Sequence, residues 1–353
     1  MAFVGLAKNT GKTVALGTLV AELSALGRPL AITSIGRDGE EFDVLHPALD
    51  KPPIHCPAGT LVATTAPLLR HCGAPHEVLV RTELRTPLGR VVIGRLGERA
   101  RVEIAGPSSS AEIRGVVDQM LALGAEQAIV DGSIDRRAAS APNVSDAVIV
   151  STGAVLGARI EEVVHRTERA LELAGLPRAS DPRLRELATR TAGRTFVVDQ
   201  DGVSPLSNGF ALTARADTLP PALRAGAGAP ARTLVVGGVL PERLLEVLLP
   251  GRTTAPIGLL ASDPTKVFVR SRSARWYRRR GLRIEVLDRV KLTAITVNPQ
   301  APLSHRLDSA RLRAAIAEVL HERVPIVDVR ARHYEEAWRG RAPASLDPAL
   351  QAG

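Results

Sequence analysis

The sequence is poor in cysteine and has no long apolar run. Cys56 and Cys72 are too few for the disulfide framework of a small secreted protein, so we expect buried thiols in a reducing compartment. No apolar stretch approaches the roughly 20 residues that span a bilayer. The first motif begins within a few residues of Met1, which leaves no room for a cleavable signal peptide. These absences predict a cytoplasmic globular protein without a membrane partner.

Several catalytic signatures are also missing. The chain has no G-x-S-x-G serine elbow, no H-E-x-x-H helix and no convincing G-x-G-x-x-G loop. We therefore do not expect a serine hydrolase of that type, a zinc peptidase or a dinucleotide-dependent enzyme. Internal repeats are absent, and low-complexity sequence is confined to one stretch rich in proline, glycine and alanine.

Composition and charge divide the chain into two regions. A chain of 353 residues is longer than those that usually fold around one hydrophobic core, so two domains are expected. The stretch TLPPALRAGAGAPARTLVV joins two patterned regions and has the composition of a linker. Residues 1–230 hold 25 basic and 25 acidic side chains, whereas residues 231–353 hold 21 and 12 and account for the net charge of +9. We predict a neutral domain over 1–217, a linker over 218–231 and a basic domain over 232–353.

Apolar runs alternate with segments of helical periodicity in both regions. The strand candidates in the first region are LAITSI, RVVIGRL, RVEIAG, QAIVDG, DAVIVSTG and RTFVVD. Helices are predicted over 11–26, 109–123 and 157–174. The strand candidates in the second region are RTLVVGG, PIGLLAS, KVFV, RIEVL, LTAITV and PIVDV. Continuous apolar strands separated by amphipathic helices indicate a mostly parallel sheet covered on both faces, so both domains are predicted to be α/β.

The stretch GLAKNTGKT, residues 5–13, has the sequence of a phosphate-binding loop with one extra residue. It follows the apolar run MAFVG and precedes a helical pattern, so it is predicted to join a strand to a helix. In that setting, backbone N–H groups and the positive end of the helix surround phosphate oxygens. Lys12 is expected to contact the β- and γ-phosphates, and Thr13 to bind Mg²⁺. The predicted nucleotide-binding residues are Gly5, Lys8, Asn9, Thr10, Gly11, Lys12 and Thr13.

The loop spacing G-x-x-x-x-x-G-K-T resembles that of dethiobiotin synthetase and its relatives. The matching residues are Gly5, Gly11, Lys12 and Thr13. This resemblance implies a P-loop NTPase fold for the first domain, with ATP or GTP and Mg²⁺ as cofactors, and it implies a homodimer, which these relatives commonly form. Relatives of the nitrogenase iron protein have a second lysine where Ala7 stands. Lys8 is one position away, so we do not assign it the trans-acting role of that lysine.

Two carboxylates are candidates for the metal and the attacking water. QAIVDG is an apolar strand that closes on Asp131, and the carboxyl ends of parallel strands are where such sheets bind ligands. Asp131 is therefore predicted to hold Mg²⁺ through water, together with Thr13. Asp38 lies in SIGRDGEEFD, a segment that carries a metal- or water-contacting carboxylate in related nucleotide-binding proteins, and is predicted to be catalytic with Lys12. The alternative for Asp38 is a solvated loop residue.

Four further stretches carry a wider resemblance. They are SIGRDGE, IVDGSIDRRAAS, DAVIVSTGA and LTAITVNPQAP. With the opening loop, they resemble the KamB-type subunit of the lysine 5,6-aminomutase reactivase over most of the chain. The resemblance implies a factor that works with a MutS-like ATPase subunit to restore an adenosylcobalamin-dependent lysine 5,6-aminomutase that has lost its intact cofactor. Two alternatives stay open: an ATP-dependent ligase of the dethiobiotin synthetase kind, and a nucleotide-binding scaffold without hydrolysis.

The pairs His55-Cys56 and His71-Cys72 contain residue types that bind zinc. Adjacent side chains on a strand point to opposite faces, so one pair rarely supplies two ligands to the same ion. Structural zinc sites also use wider spacings than a directly adjacent pair. We therefore expect buried thiols here rather than a metal site.

The stretch VRSRSARWYRRRGLR is strongly basic. Its arginines are Arg270, Arg272, Arg275, Arg278, Arg279, Arg280 and Arg283. They flank Trp276 and Tyr277, and arginines beside aromatic rings are typical of surfaces that bind phosphates and stack on bases. A helix over 271–280 would instead distribute the arginines around its circumference. We interpret the basic stretch first as a solvated face, second as a docking surface for an acidic protein and third as a nucleic-acid surface. Nucleic acid is therefore not the expected partner.

Overall fold

The computed structural model describes residues 1–38, 54–133, 139–224, 232–249, 257–269, 271–302, 304–320 and 324–328. The chain forms two compact units. The first consists of Met1–Glu168 and Leu292–Gly353, and the second of Arg169–Lys291. The second unit is therefore an insertion in the chain of the first. Both units contain sheets and helices, which confirms the predicted α/β class.

The described residues contain the following elements. The strands are β1 (Ala2–Gly5), β2 (Leu30–Ser34), β3 (Arg37–Asp38), β4 (Ile54–Cys56), β5 (Leu61–Thr65), β6 (His76–Thr86), β7 (Gly89–Leu96), β8 (Ala100–Val102), β9 (Ile104–Ala105), β10 (Gln127–Ser133), β11 (Val148–Gly153), β12 (Thr195–Asp199), β13 (Gly202–Leu206), β14 (Arg232–Val236), β15 (Leu240–Pro241), β16 (Ile257–Ala261), β17 (Val267–Phe268), β18 (Leu282–Val286), β19 (Leu292–Asn298) and β20 (Ile326–Asp328). The α-helices are α1 (Lys12–Ala25), α2 (Ala66–His71), α3 (Ser110–Ala122), α4 (Ile160–Ala174), α5 (Pro182–Arg190), α6 (Phe210–Thr213), α7 (Pro221–Arg224), α8 (Glu242–Leu248), α9 (Ala274–Arg278) and α10 (Ser309–Val319).

A nine-stranded sheet forms the framework of the first unit, in the order β20-β19-β11-β1-β10-β2-β5-β7-β6. Each neighbouring pair from β20 to β5 is parallel. Strand β7 pairs antiparallel with both β5 and β6, so a hairpin closes one end of the sheet. The carboxyl ends of β19, β11, β1, β10 and β2 consequently lie side by side along one edge.

The interior strands of this sheet are the apolar runs of the sequence. Strands β1, β2, β5 and β11 are buried along their whole length, as expected for the middle of a mostly parallel sheet. Helix α1 contributes Leu16 and Val20 to a core cluster that also contains Phe3 and Ile32. Helix α1 is thereby packed on β1 and β2, so the strand before the loop and the helix after it belong to one core.

The second unit is built on a five-stranded sheet in the order β13-β12-β14-β16-β18. Strands β14, β16 and β18 are parallel, whereas β12 is antiparallel to both β13 and β14. Its core joins strand residues such as Leu234 and Leu259 to Leu245 of α8 and Tyr277 of α9. This unit has its own core and its own sheet.

The predicted domain limits, 1–217 and 232–353, do not match this division. The described part of the expected linker 218–231 is packed, because Leu219 and Leu223 are buried in the core of the second unit. Its last residues lie outside the described ones. Strand β12 precedes the expected linker and β14 follows it, yet the two strands pair in one sheet. Strands β19 and β20 were expected in the basic domain, yet they extend the large sheet beside β11.

The predicted helices over 11–26, 109–123 and 157–174 are confirmed as α1, α3 and α4. Helix α3 begins after the N-cap residue Ser109, whose hydroxyl accepts a hydrogen bond from the Glu112 N–H and donates one to the Glu112 carboxylate. RVEIAG was predicted as one strand of the main sheet. It forms β8 and β9 instead, each antiparallel to another short strand. Among the described residues, no helix has the length and apolar character needed to cross a membrane.

Candidate functional site

The loop of residues 5–13 follows the interior strand β1 and leads into α1. Leu6 donates its N–H to the Ser151 carbonyl of β11 at 2.9 Å, which holds the start of the loop against the neighbouring strand. Asn9 and Gly11 have positive φ angles of 63° and 82°. Glycine reaches that region without steric cost, which explains Gly11 directly. The predicted strand–loop–helix setting is confirmed.

Gly5 has a steric reason for its unusual place in the motif. A Cβ added at Gly5 would lie 2.9 Å from the Thr10 hydroxyl oxygen and 3.3 Å from the Ala7 carbonyl oxygen. The Thr10 side chain is buried and donates a hydrogen bond of 3.0 Å to that same carbonyl. The loop therefore folds back over Gly5, and the Thr10 hydroxyl closes this turn. The predicted role of Thr10 in nucleotide binding stays a prediction.

The amino terminus of α1 points its first N–H groups toward the loop. Helix α1 begins at Lys12 after Gly11, which has no side chain to cap it, and the first intrahelical bond runs from the Ala15 N–H to the Gly11 carbonyl. First-turn N–H groups have no carbonyl partner within a helix, and with the helix dipole they favour an anion. Thr13 is the second residue of α1 and is half-buried at this end.

Lys12 and Asp131 form an ion pair at the join of loop and helix. The Lys12 ammonium lies 2.5 Å from Oδ1 of Asp131, and their side chains are 14% and 2% exposed. Asp131 is held there by β10, whose register with β1 pairs it with Phe3. On its other side, Asp131 is in register with Ser34 at the end of β2. The structure thus brings the predicted phosphate-contacting lysine and the predicted metal-site carboxylate together.

A residue that sequence reasoning did not single out supports the loop from the other side. Asn298, the last residue of β19, donates a side-chain hydrogen bond of 3.0 Å to the Asn9 carbonyl. Its Oδ1 accepts the N–H of Gln300, so the amide is held in one orientation. Gly153 makes room for this residue, because a Cβ there would lie 2.2 Å from the Asn298 carbonyl oxygen. The signal was present in LTAITVNPQAP, but the pairing of β19 with β11 was not foreseen.

Asp38 lies on the short strand β3, which pairs antiparallel with β9. Asp38 is four residues after Ser34, the last residue of β2, and its backbone pairs with that of Ile104. The structure does not describe its side chain or residues 39–53. The predicted catalytic role of Asp38 therefore stays a prediction. Lys8 and Asn9 are exposed on the outer part of the loop.

The cysteines are explained by packing. Strand β4 alternates so that Cys56 is fully buried while His55 is exposed. Burial raises the pKa of the Cys56 thiol to about 12. The Cys72 thiol donates to the Ala74 carbonyl at 4.0 Å. Among the described residues, no group of three or more His, Cys, Asp or Glu side chains is arranged to hold a metal ion.

Comparison with known proteins identifies no matching family model, no similar curated protein and no similar solved structure. The interpretation of the site therefore depends on its geometry. The edge where the parallel strands end brings together Gly5, Gly11, the amino terminus of α1, and the ion pair of Lys12 and Asp131. This arrangement of positive groups and one carboxylate fits a phosphate group with a divalent cation.

Proposed function

We propose that this protein binds a nucleoside triphosphate, with ATP as the first choice, together with Mg²⁺ at the loop of residues 5–13, and hydrolyses it as a P-loop NTPase. The observation that carries the proposal is the Lys12–Asp131 ion pair of 2.5 Å between the start of α1 and the adjacent strand β10. A nearly buried ion pair contributes little to stability once its desolvation is counted. Its place at a helix amino terminus supports a role in ligand binding instead.

Each residue of the site has a definite task in this proposal. The Lys12 ammonium and the N–H groups of the loop would neutralise the phosphate oxygens. The Thr13 hydroxyl and the Asp131 carboxylate would hold Mg²⁺, Asp131 through water. Asp38 would orient the attacking water. The nucleotide would supply the phosphoanhydride bond for hydrolysis.

The proposal extends to reactivation of an adenosylcobalamin-dependent lysine 5,6-aminomutase with a MutS-like ATPase subunit. This part rests on the resemblance of SIGRDGE, IVDGSIDRRAAS, DAVIVSTGA and LTAITVNPQAP to the KamB-type subunit. These stretches run through the carboxyl ends of β2, β10, β11 and β19. Those are the two strands on either side of β1 in the sheet. The resemblance is thus concentrated around the candidate site, which supports a function that uses it.

Cofactor exchange requires the closed aminomutase to open. A factor shifts that equilibrium only through different affinities for the open and closed states of the enzyme. Bound nucleotide is the proposed switch between those affinities. Ser34, the last residue of β2, is in register with Asp131, and this supports coupling between occupancy of the loop and the segment that follows β2.

Calorimetric titration with ATP and Mg²⁺ tests the nucleotide site. Lys12→Ala should weaken binding at least about tenfold, because a charge-assisted hydrogen bond contributes about 1.5–3 kcal/mol. Arg28→Ala is the matched control, since it removes a cation of the same unit from an exposed ion pair with Glu126 and should leave affinity unchanged. Unchanged affinity in a folded Lys12→Ala protein would refute the assignment. Titration with GTP in place of ATP defines the base preference.

The reactivation role has its own assay. A lysine 5,6-aminomutase inactivated by turnover is incubated with adenosylcobalamin, ATP, Mg²⁺, the MutS-like subunit and this protein. Wild type and Arg28→Ala should restore activity, whereas Lys12→Ala should not. Equal recovery with Lys12→Ala, or with this protein left out, would overturn the role while leaving nucleotide binding intact.

A further inference from the structure

The net positive charge of the protein belongs to the second unit. Residues 169–291 hold 21 basic and 11 acidic side chains, whereas the first unit holds 25 and 26. The net charge of the second unit is therefore +10, which exceeds the +9 of the whole chain. The charge separates more completely between the two structural units than between the two regions predicted from the sequence. A unit with this excess attracts acidic partners over the range of the Debye length.

The basic stretch is held in place by two carboxylates of the same unit. The Glu242 carboxylate accepts hydrogen bonds from the N–H groups of Ser271 and Arg272 at 2.9 and 3.1 Å, and from the Tyr277 hydroxyl at 3.0 Å. Glu172 accepts the Arg275 N–H at 2.8 Å. These bonds are internal and fix the backbone, so the segment presents its side chains from a defined surface.

The helix of this stretch is shorter than predicted. It runs over Ala274–Arg278, not over 271–280, and Ser273 caps it by accepting the Trp276 N–H at 3.0 Å. A helix of little more than one turn does not distribute its arginines evenly around a long cylinder. The prediction of a longer helix over 271–280 is therefore wrong, and the placement of the arginines follows from the short helix and its flanking residues.

Five exposed arginines form what we call the arginine face. They are Arg272, Arg275, Arg278, Arg279 and Arg280. Two of them are ordered by the indole of Trp276: the guanidinium carbon of Arg280 lies 3.6 Å from the ring centroid, and that of Arg272 lies 5.2 Å from it. Within the described residues, none of the five guanidinium groups forms an ion pair with a carboxylate. Their N–H groups are therefore presented to a partner.

The placement of the two aromatic residues in this stretch favours a protein partner over a single-stranded nucleic acid. Base stacking needs an open aromatic face. Trp276 is half-buried, lies under two guanidinium groups and meets Tyr277 edge-on, with ring centroids 5.0 Å apart. Tyr277 itself is 0% exposed. The rings orient the arginines and are not presented to a base, so the chemistry of the face is that of guanidinium groups alone.

We propose that the arginine face docks an acidic protein surface. A guanidinium group binds a carboxylate through two parallel hydrogen bonds, and an arginine already stacked on a ring loses less side-chain freedom when it does so. The face lies in the second unit, so this inference does not depend on nucleotide binding at the loop.

The test uses the full-length Trp338→Phe variant, in which Trp276 is the only tryptophan and its emission reports on the face. The probe is a peptide rich in glutamate and aspartate, compared with single- and double-stranded oligonucleotides of equal charge. The peptide should bind saturably, change the Trp276 emission and lose affinity as salt rises. Arg272→Gln, Arg278→Gln and Arg280→Gln are then combined on this background, and peptide affinity should fall about tenfold.

The matched control combines Arg183→Gln, Arg190→Gln and Arg215→Gln. These arginines are exposed in the same unit, and their loss changes the net charge by the same amount. Peptide affinity in the control should stay within about threefold of the parent. Equal weakening in both combinations, or absence of saturable peptide binding, would overturn the proposal. Tighter binding of an oligonucleotide, lost with the same three substitutions in the face, would identify a nucleic-acid surface instead.

Discussion

The side-chain amide of Asn298 donates a 3.0 Å hydrogen bond to the carbonyl of Asn9, which is 289 positions earlier in the chain. The bond fixes a loop residue that has a positive φ angle of 63°. It ties the last strand residue of β19 to the candidate phosphate loop, so two distant parts of the sequence define one site.

Asn298→Ala should therefore loosen the loop without removing any of its charges. We expect nucleotide affinity to fall about threefold to tenfold, and the free energy of unfolding to fall by about 1 kcal/mol, the net contribution of one hydrogen bond. Calorimetry and urea denaturation measure the two effects. Asn208→Ala, at an exposed position of the second unit, is the control and should change neither. Full affinity in Asn298→Ala would show that the loop holds its shape without this bond.

Removing Lys12 should also affect stability, because it leaves the nearly buried Asp131 carboxylate without this cation. We expect Lys12→Ala to lower the free energy of unfolding by about 3 kcal/mol. The double variant Lys12→Ala/Asp131→Asn should recover much of that loss of stability while its nucleotide affinity stays at least about tenfold below that of wild type. Urea denaturation of the single and double variants checks this. No recovery in the double variant would mean that the ion pair is not the cause.

The two carboxylates should affect hydrolysis more than binding. Asp131→Asn keeps the shape of the side chain but removes the charge assigned to the metal's water shell, so turnover should fall at least about tenfold while nucleotide affinity changes little. Asp38→Asn should act in the same direction. Phosphate release, measured with and without the proposed partner proteins, gives turnover, and calorimetry gives nucleotide affinity. Normal turnover in both variants would contradict the assigned roles.

Gly5 and Gly17 offer a matched pair of substitutions in the same unit. Gly5→Ala forces a Cβ to within 2.9 Å of the Thr10 hydroxyl oxygen, so we expect the loop to shift and nucleotide affinity to fall. Gly17 lies in the middle of α1, and a Cβ there meets no atom within 4 Å. Gly17→Ala should raise the free energy of unfolding by about 0.5–1 kcal/mol with affinity unchanged. Equal affinity losses in the two variants would refute the steric argument.

Burial raises the pKa of Cys56 to about 12, compared with an ordinary thiol value of 9.0. Below that ordinary value, the thiol is protonated in both the folded and the unfolded chain. Between pH 9 and pH 12, the unfolded chain releases the thiol proton and the folded chain keeps it. The stability that the folded chain gains from burying Cys56 as a neutral thiol is therefore lost as pH rises. The free energy of unfolding of wild type, relative to Cys56→Ala, should fall by about 1.4 kcal/mol per pH unit there. A difference that does not vary with pH would contradict this account.

Sequence pattern was a good guide to the loop and a poor guide to the limits of the units. The loop was identifiable because Gly5, Gly11, Lys12 and Thr13 are local, and the run QAIVDG located Asp131 at the end of a buried strand. Burial imposes apolar periodicity on a strand, but it does not specify the neighbouring strand. For that reason, β19 and β20 were assigned to the wrong part of the chain, and the contribution of Asn298 was missed.

The expected linker shows the same limit in another form. Proline, glycine and alanine are common in linkers, but they do not prevent burial of the leucines between them. Leu219 and Leu223 pack in the core of the second unit. The hairpin of β6 and β7 was also incompletely foreseen, since RVVIGRL was found without its partner HEVLVRTELRT. Composition describes the average of a stretch, whereas packing depends on individual side chains.

The insertion of the second unit between β11 and β19 has a consequence for how the protein is made. Translation proceeds from the amino terminus, and domains generally fold as units while the chain emerges. The ribosome completes Gly5, Lys12 and Asp131 early, but it must synthesise all of Arg169–Lys291 before β19 begins. Until then, the Asn9 carbonyl lacks its amide donor. A nascent or truncated chain that ends before Leu292 therefore carries the complete loop motif without the residue that fixes its shape.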